Sequence, residues 1–329
     1  MALDLTYRCG FACPFCFVKN NSLLEKERGE LTTAALKKII ASLAGKKRRF
    51  YLTGGEPALR KDLPDIVRAV KAGGHRCLIT TSGYPLTHTK VKALAAAGAD
   101  EFVISLHGGQ ALHDKISGVG GSFARAARAV EYIKAVPGKR PAVTLWCTIN
   151  RANHAGLSAV YRAMAELGPD SIGFNHMEYV SLRDFRKTGA LFKEFPGAKP
   201  SFRPSEFLVK GISPLKLSRE IAAIKSFSGK PAKFYPDLDL EGMKDWYDPA
   251  RSFKRSGFCL GQWDALWLSP YGDLLTCQPL AARLGPAAEN CLEVYNGKDY
   301  AAFRNALVRL GGFFPACARC GREPYQARK

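Results

Sequence analysis

Six strand-like runs alternate with helical patterns over the first 180 residues, and this alternation limits the chain to very few folds. The runs are Ala2 to Thr6, Phe50 to Thr53, Cys77 to Thr81, Glu101 to Leu106, Ala142 to Ile149 and Ser171 to Asn175. Between them, Leu36, Ile39, Ile40 and Leu43 recur at i, i+3, i+4 and i+7, with Thr32 or Thr33 placed to cap the helix. The same spacing returns in Leu63, Ile66, Val67 and Val70, closed by Gly73-Gly74, and in Leu157, Val160, Tyr161 and Met164. Two further helices are expected near Val91 to Ala97 and from Ser122 to Ala135. Strands separated by helices pair in parallel through right-handed crossovers, so the expected fold is a partial (β/α)6 TIM-like barrel. Every loop leaving a strand's C-terminal end then meets its neighbours on one rim, where such barrels place their chemistry.

The first of those loops carries Cys9, Cys13 and Cys16. Three thiolates leave one coordination position open, whereas a structural zinc site closes with four ligands; a 4Fe-4S cluster held by three cysteines exposes an iron to a chelating small molecule. A second set, Cys259, Cys277, Cys317 and Cys320, lies near the C-terminus. Ala265 to Ser269 and Leu274 to Thr276 flank the turn Pro270-Tyr271-Gly272-Asp273, a hairpin that draws Cys259 towards Cys277. Cys317 and Cys320 have the spacing that grips one metal centre, after a helix expected from Tyr300 to Leu310. Four thiolates can close a zinc site or a cluster. Cys291 is an alternative ligand, although Cys291-Leu292-Glu293-Val294 reads as a short strand, and Cys77, Cys147 and Cys291 all lie in apolar stretches typical of buried thiols.

No apolar run approaches a membrane span and the first strand begins almost at once, with no visible signal peptide, so a cytoplasmic protein with reduced thiols is expected. The formal net charge of +20 points to an anionic partner such as a nucleotide, an acidic peptide or RNA. RNA-binding aromatic motifs and a low-complexity basic tail are missing, so nucleic acid is not the expected partner, nor is a membrane. The organisation expected is a barrel over 1–181, a basic bridging segment over 182–255 with one helix near Leu215 to Phe227, and a small α+β metal-binding unit over 256–329.

The three-cysteine loop, with Phe15 directly before its last thiol, resembles the signature of the radical S-adenosylmethionine (SAM) superfamily. Gly54-Gly55-Glu56-Pro57, one βα unit later, is similar to that family's GGEP motif. The resemblance implies a 4Fe-4S cluster on Cys9, Cys13 and Cys16 that binds SAM through its open iron. It also implies SAM contacts from Gly54, Gly55, Glu56 and Pro57, from Ser82 where many relatives have Asn, from Ser105 near the ribose, from Asn153 near the carboxylate, and from Phe15 beside the adenine. The C-terminal cysteines look like a shortened SPASM extension, the twitch domain, which implies a second, auxiliary 4Fe-4S cluster on Cys259, Cys277, Cys317 and Cys320.

By that resemblance the chain takes an electron from flavodoxin or ferredoxin, cleaves SAM to a 5′-deoxyadenosyl radical and removes a hydrogen atom from substrate. The first expectation is oxidation (dehydrogenation) or epimerisation of a small molecule supported by the auxiliary cluster. The alternative is maturation of a ribosomally made peptide or protein, with an acidic leader suited to the positive charge. A different class, a non-catalytic zinc or iron-sulfur protein, explains the cysteines but not the rim. Cys147 is the candidate hydrogen donor, and His176 and Glu178 are candidates for substrate binding or proton transfer, beside Tyr179 and Arg183.

Overall fold

The structure is a computed structural model that describes residues 1–25, 27–194, 200–287 and 290–322. The six expected strands form as β1 (Ala2–Thr6), β2 (Arg49–Gly54), β3 (Arg76–Thr81), β4 (Glu101–Ser105), β5 (Ala142–Thr148) and β6 (Ser171–Asn175). Each lies parallel to the next in chain order. Four more strands extend the sheet. β7 (Ala232–Tyr235) adds to β6 in parallel, while β8 (Trp267–Leu268) pairs in parallel with the free side of β1 and leads into the antiparallel strands β9 (Asp273–Leu275) and β10 (Arg283–Pro286). The sheet therefore reads β10-β9-β8-β1-β2-β3-β4-β5-β6-β7.

Strand register separates two chemically different faces. Leu3, Leu5, Phe50, Leu52, Ile79, Phe102, Ile104, Val143, Leu145, Ile172 and Phe174 are buried in one continuous core against the helices. Each such side chain contributes about 1.5–3 kcal/mol when fully buried. The residues that alternate with them on the paired strands include Thr53, Thr80, Ser105, Trp146, Thr148 and Asn175, which are polar or aromatic and line a cavity. A barrel interior filled by branched apolar side chains would be packed solid; this one is built to stay open.

The helices close the outer face where their periodicity placed them. The helix Thr33–Ser42 is capped by Thr32, whose hydroxyl accepts from the Ala35 amide, and Leu63–Ala72 buries Leu63, Ile66, Val67 and Val70. The bridging segment holds more than the single expected helix. Besides Pro214–Ser226 it contains the helices Leu182–Phe192 and Leu240–Tyr247 and the strand β7. β7 escapes a sequence reading because it has only 4 residues, set between Pro231 and Pro236.

In the C-terminal part the expected hairpin forms as β8 and β9, followed by the helix Lys298–Arg309. Cys291 to Val294 is not a strand. It opens the helix Cys291–Asn296, capped by the Asn290 side chain, which accepts from the Glu293 amide. An Asn just before the run is a helix-start signal that outweighs the β propensity of one valine. Among the described residues no helix is long and apolar enough to cross a membrane.

Candidate active site

The cysteine loop leaves β1 and is braced by β2. The Gly55 amide donates to the Thr6 carbonyl over 2.7 Å and the Glu56 amide to the Arg8 carbonyl over 2.9 Å. Both glycines are demanded by this approach: a Cβ on Gly54, whose φ is +117°, would stand 2.3 Å from the Thr6 oxygen, and one on Gly55 would stand 2.4 Å from the Arg8 oxygen. Glu56 is buried. One of its oxygens accepts from the Ala58 amide (3.0 Å) and the Thr81 hydroxyl (2.7 Å), the other from the Ser82 amide (2.8 Å) and the Ser82 hydroxyl. Its carboxylate thus ties the ends of β2 and β3 together, leaving backbone atoms of Gly54 and Gly55 to face the cavity.

One cavity of about 1330 Å³ brings most of the expected site together. Cys9, Cys13, Cys16, Phe15, Gly54, Gly55, Glu56, Ser82, Ser105 and Glu178 all line it. Phe15 meets His107 edge-on, with ring centroids 5.0 Å apart. Pro57 stands behind this wall as the first residue of a short 3-10 turn, Pro57–Leu59.

Beside Pro57, the expected SAM or substrate residues Asn153, Cys147 and His176 do not reach the cavity wall. Asn153 is fully buried, donating to the carbonyls of His107 (3.1 Å) and Thr148 (3.0 Å) and accepting from the Asn150 amide (2.7 Å); it knits the loops after β4 and β5. Cys147 belongs to the apolar core, and burial pushes its thiol far up. His176 is buried with Nδ1 2.7 Å from the Tyr247 hydroxyl, and burial pulls its pKa down to about 3, so it is neutral. β6 ends at Asn175, and the His176 ring packs against Trp246 and Tyr247 on the side away from the cavity.

Glu178 occupies the junction between the cavity and the second cysteine set. Its Oε1 accepts from the Gly321 amide over 2.7 Å, directly after Cys320, and burial raises its carboxyl above the ordinary range. Gln278, Ala316 and Gly321, each the chain neighbour of a C-terminal cysteine, also face the cavity. Cys277 is close enough to Cys259, Cys317 and Cys320 for their charges to act on it, whereas the groups near Cys291 are Ser42 and Arg48. The Cys317–Cys320 turn is fastened from both sides. Arg255 donates to the Cys317 carbonyl (3.1 Å) and to the Arg322 carbonyl, while the buried Arg319 donates to the carbonyls of Trp246 (2.7 Å), Asp245 (3.1 Å), Asp248 (2.8 Å) and Arg251 (2.8 Å). Arg319 so closes the C-terminal end of the helix Leu240–Tyr247.

The donor sets fit iron-sulfur clusters by their chemistry. Burial, followed by the charge of neighbouring thiols, pushes Cys13 up to about 12, and burial raises Cys317 and Cys320 to about 12. Such thiols stay protonated until a cationic centre binds and deprotonates them. Among the described residues no group of three or more His, Cys, Asp or Glu side chains is arranged as a single metal ion requires, so the fit rests on donor type and shared loops.

Sequence reasoning missed the aromatic wall opposite the cysteines. Trp146 stacks on Tyr235 with ring centroids 5.2 Å apart and donates from Nε1 to Asn175 Oδ1 over 2.7 Å. Gly173 makes room for it: a Cβ there would stand 2.4 Å from the Trp146 ring. A glycine inside a strand was the available signal.

The chain thus combines a parallel barrel, a three-cysteine loop on its rim, a glycine turn beside that loop and four further cysteines, three of which have chain neighbours facing the same cavity. Residues 3–153 match the Radical SAM superfamily, which places the barrel of this chain in that superfamily. The chain is 34% identical over 180 residues to the PqqA peptide cyclase of Methylocella silvestris, covering 54% of this chain and 46% of that protein. It is 30% identical over 177 residues to the Fe-coproporphyrin III synthase of Methanosarcina barkeri, covering 54% of this chain and 43% of that protein. The match thus spans less than half the length of these relatives. Its fold is similar to that of anSMEcpe with bound AdoMet (TM-score 0.63, 14% identity, covering 92% of this chain and 81% of that one). It is also similar to that of Streptococcus suis SuiB bound to the precursor peptide SuiA (TM-score 0.61, 15% identity, covering 92% and 66%).

Proposed function

We propose that this radical SAM enzyme modifies a polypeptide substrate by hydrogen-atom abstraction. The observation that carries the reading is the cavity of about 1330 Å³, which runs the length of the strands from the cysteine rim to Ala2 and Arg49. It has space for SAM at the cysteine rim and for a segment of substrate beyond. The relatives named for a peptide cyclase and the fold shared with a precursor-peptide complex favour this over the small-molecule oxidation expected first.

Cys9, Cys13 and Cys16 would hold the SAM-binding cluster, and Cys259, Cys277, Cys317 and Cys320 the auxiliary one. When bound, the first cluster supplies the electron, drawn from flavodoxin or ferredoxin, that cleaves SAM to the 5′-deoxyadenosyl radical. The chain's own task is to position and to handle protons. Gly54 and Gly55 would offer backbone to the SAM ammonium, Ser105 a hydroxyl and Phe15 its ring, while the Ser82 hydroxyl is engaged by Glu56 and the Tyr84 amide. Among the described residues three carboxylates line the cavity: Glu56 accepts four hydrogen bonds, Asp264 pairs with Arg322 over 2.5 Å, and Glu178 keeps one oxygen uncommitted. Glu178, its carboxyl raised above the ordinary range by burial and its second oxygen facing no hydrogen-bond donor among the described residues, would take the proton that a substrate radical sheds on oxidation.

The test is incubation of the anaerobically reconstituted protein with SAM, dithionite and a set of synthetic peptides, followed by mass spectrometry. A peptide that loses hydrogen in step with 5′-deoxyadenosine formation supports the reading. Unmodified peptides, alongside turnover of a sugar or cyclitol alcohol, overturn it.

A further inference from the structure

The cavity has a second mouth, at the opposite end of the strands from the cysteine rim. Ala2 and Arg49 begin β1 and β2, Trp267 begins β8, and all three line the same cavity as Gly54 and Cys9. The six residues of β2 separate the two ends by about 17 Å at roughly 3.3 Å per residue. An extended chain of about five residues therefore reaches from this mouth to the SAM end.

The mouth is cationic. Lys47, Arg48, Arg49 and Arg322 line it; among the described residues the one carboxylate that lines the cavity there is Asp264, already paired with Arg322, and Glu101, at the start of β4 near Arg49, is engaged by Arg76 at 3.7 Å. Arg49 lies along the inner wall, donating to the Tyr51 hydroxyl over 3.3 Å. Tyr51 is 37% exposed and Trp263 39% exposed, large aromatic surfaces left open beside the cations. Clefts lined by one sign of charge within low-dielectric walls concentrate ligands of the opposite sign.

Past the mouth the character of the wall changes. Along the strands the inward side chains are Tyr51, then Thr53, Thr80 and Trp146, with Ser105, Thr148 and Asn175 at the SAM end, all of them uncharged. A phosphate backbone needs cations along its whole track, whereas a polypeptide with acidic residues at one end and neutral ones ahead needs them only where its acids lie. We infer that the cationic mouth formed by Lys47, Arg48, Arg49 and Arg322 binds an acidic segment of the polypeptide substrate, whose neutral residues extend through the barrel to the SAM end. This rests on the polypeptide reading of the cavity.

The experiment is fluorescence anisotropy of fluorescein-labelled hexaglutamate with the full-length protein, without SAM. The expected result is saturable, salt-weakened binding that hexaserine does not show, and a loss of about tenfold in Lys47→Ala/Arg49→Ala. The exposed outer-helix pair Lys37→Ala/Lys38→Ala is the control and should bind within about twofold of the parent. Thermal unfolding of each variant checks folding independently. Equal weakening in both pairs would mean diffuse surface charge and would overturn the inference. So would tighter binding of octathymidylate than of hexaglutamate, or displacement by glutarate at the concentration where hexaglutamate displaces. Because no turnover is read, failure here leaves the peptide-modification test standing, and failure of that test leaves these binding curves intact.

Discussion

Replacing Gly55 by Ala tests whether the turn after β2 exists to seat the cysteine loop. The added Cβ would stand 2.4 Å from the Arg8 oxygen and 2.8 Å from both the carbonyl carbon and oxygen of Tyr7. All three are backbone atoms, so no side chain can swing away and the two segments must part. Overpacking of this kind costs about 1–3 kcal/mol, and parting also weakens the Gly55–Thr6 and Glu56–Arg8 hydrogen bonds at about 1 kcal/mol each. The sum is about 3–5 kcal/mol, or a fall in Tm on the order of 10 °C for a chain of this size. Gly120→Ala is the control, since a Cβ there meets nothing within 4 Å. The assay is thermal unfolding of the protein before reconstitution, followed by iron content after it. A Gly55→Ala protein that melts with the Gly120→Ala control and takes up full iron would refute the reasoning.

Gly173→Ala should displace Trp146, breaking its stack on Tyr235 and its bond to Asn175, which a shift in tryptophan emission and weaker peptide turnover would reveal; an unchanged spectrum contradicts the placement. Arg319→Ala leaves four backbone carbonyls and the buried Asp184 without their cation and should cost about 3–5 kcal/mol, with iron lost from the C-terminal cysteines first, whereas retention of all iron would contradict the clamp. Burial holds His107 at about 3, His113 at about 4 and His176 at about 3, so below the ordinary histidine value the unfolded chain binds protons that the folded chain refuses. Stability is thus full above about pH 6.5 and falls as pH drops towards 4, by roughly 2 kcal/mol per histidine at pH 5. Urea unfolding midpoints that stay flat from pH 6.5 to 5 would contradict it.

The repeating core was legible because it is local: apolar residues at helical spacing and runs broken by glycine locate β1 to β6 within a residue or two. The cysteine loop and the Gly54-Gly55-Glu56-Pro57 turn were legible because their chemistry is carried by residue type. What stayed hidden depends on distant partners. β7 has too few residues to show alternation and exists because β6 offers an open edge. Cys291 starts a helix because Asn290 caps it. Asn153 and Glu56 carry polar groups that suggest ligand contacts, yet their hydrogen bonds turn inward to neighbouring loops. The Trp146 wall and the cationic second mouth arise only when strands far apart in sequence are laid side by side.

The most direct measurement is 5′-deoxyadenosine formation from SAM by the anaerobically reconstituted protein under dithionite, beside a variant with Cys9, Cys13 and Cys16 replaced by Ala. The account predicts 5′-deoxyadenosine from the parent and none from the variant, while the variant keeps the iron bound by Cys259, Cys277, Cys317 and Cys320. An iron-loaded parent that forms no 5′-deoxyadenosine, or a variant that forms as much, would contradict it.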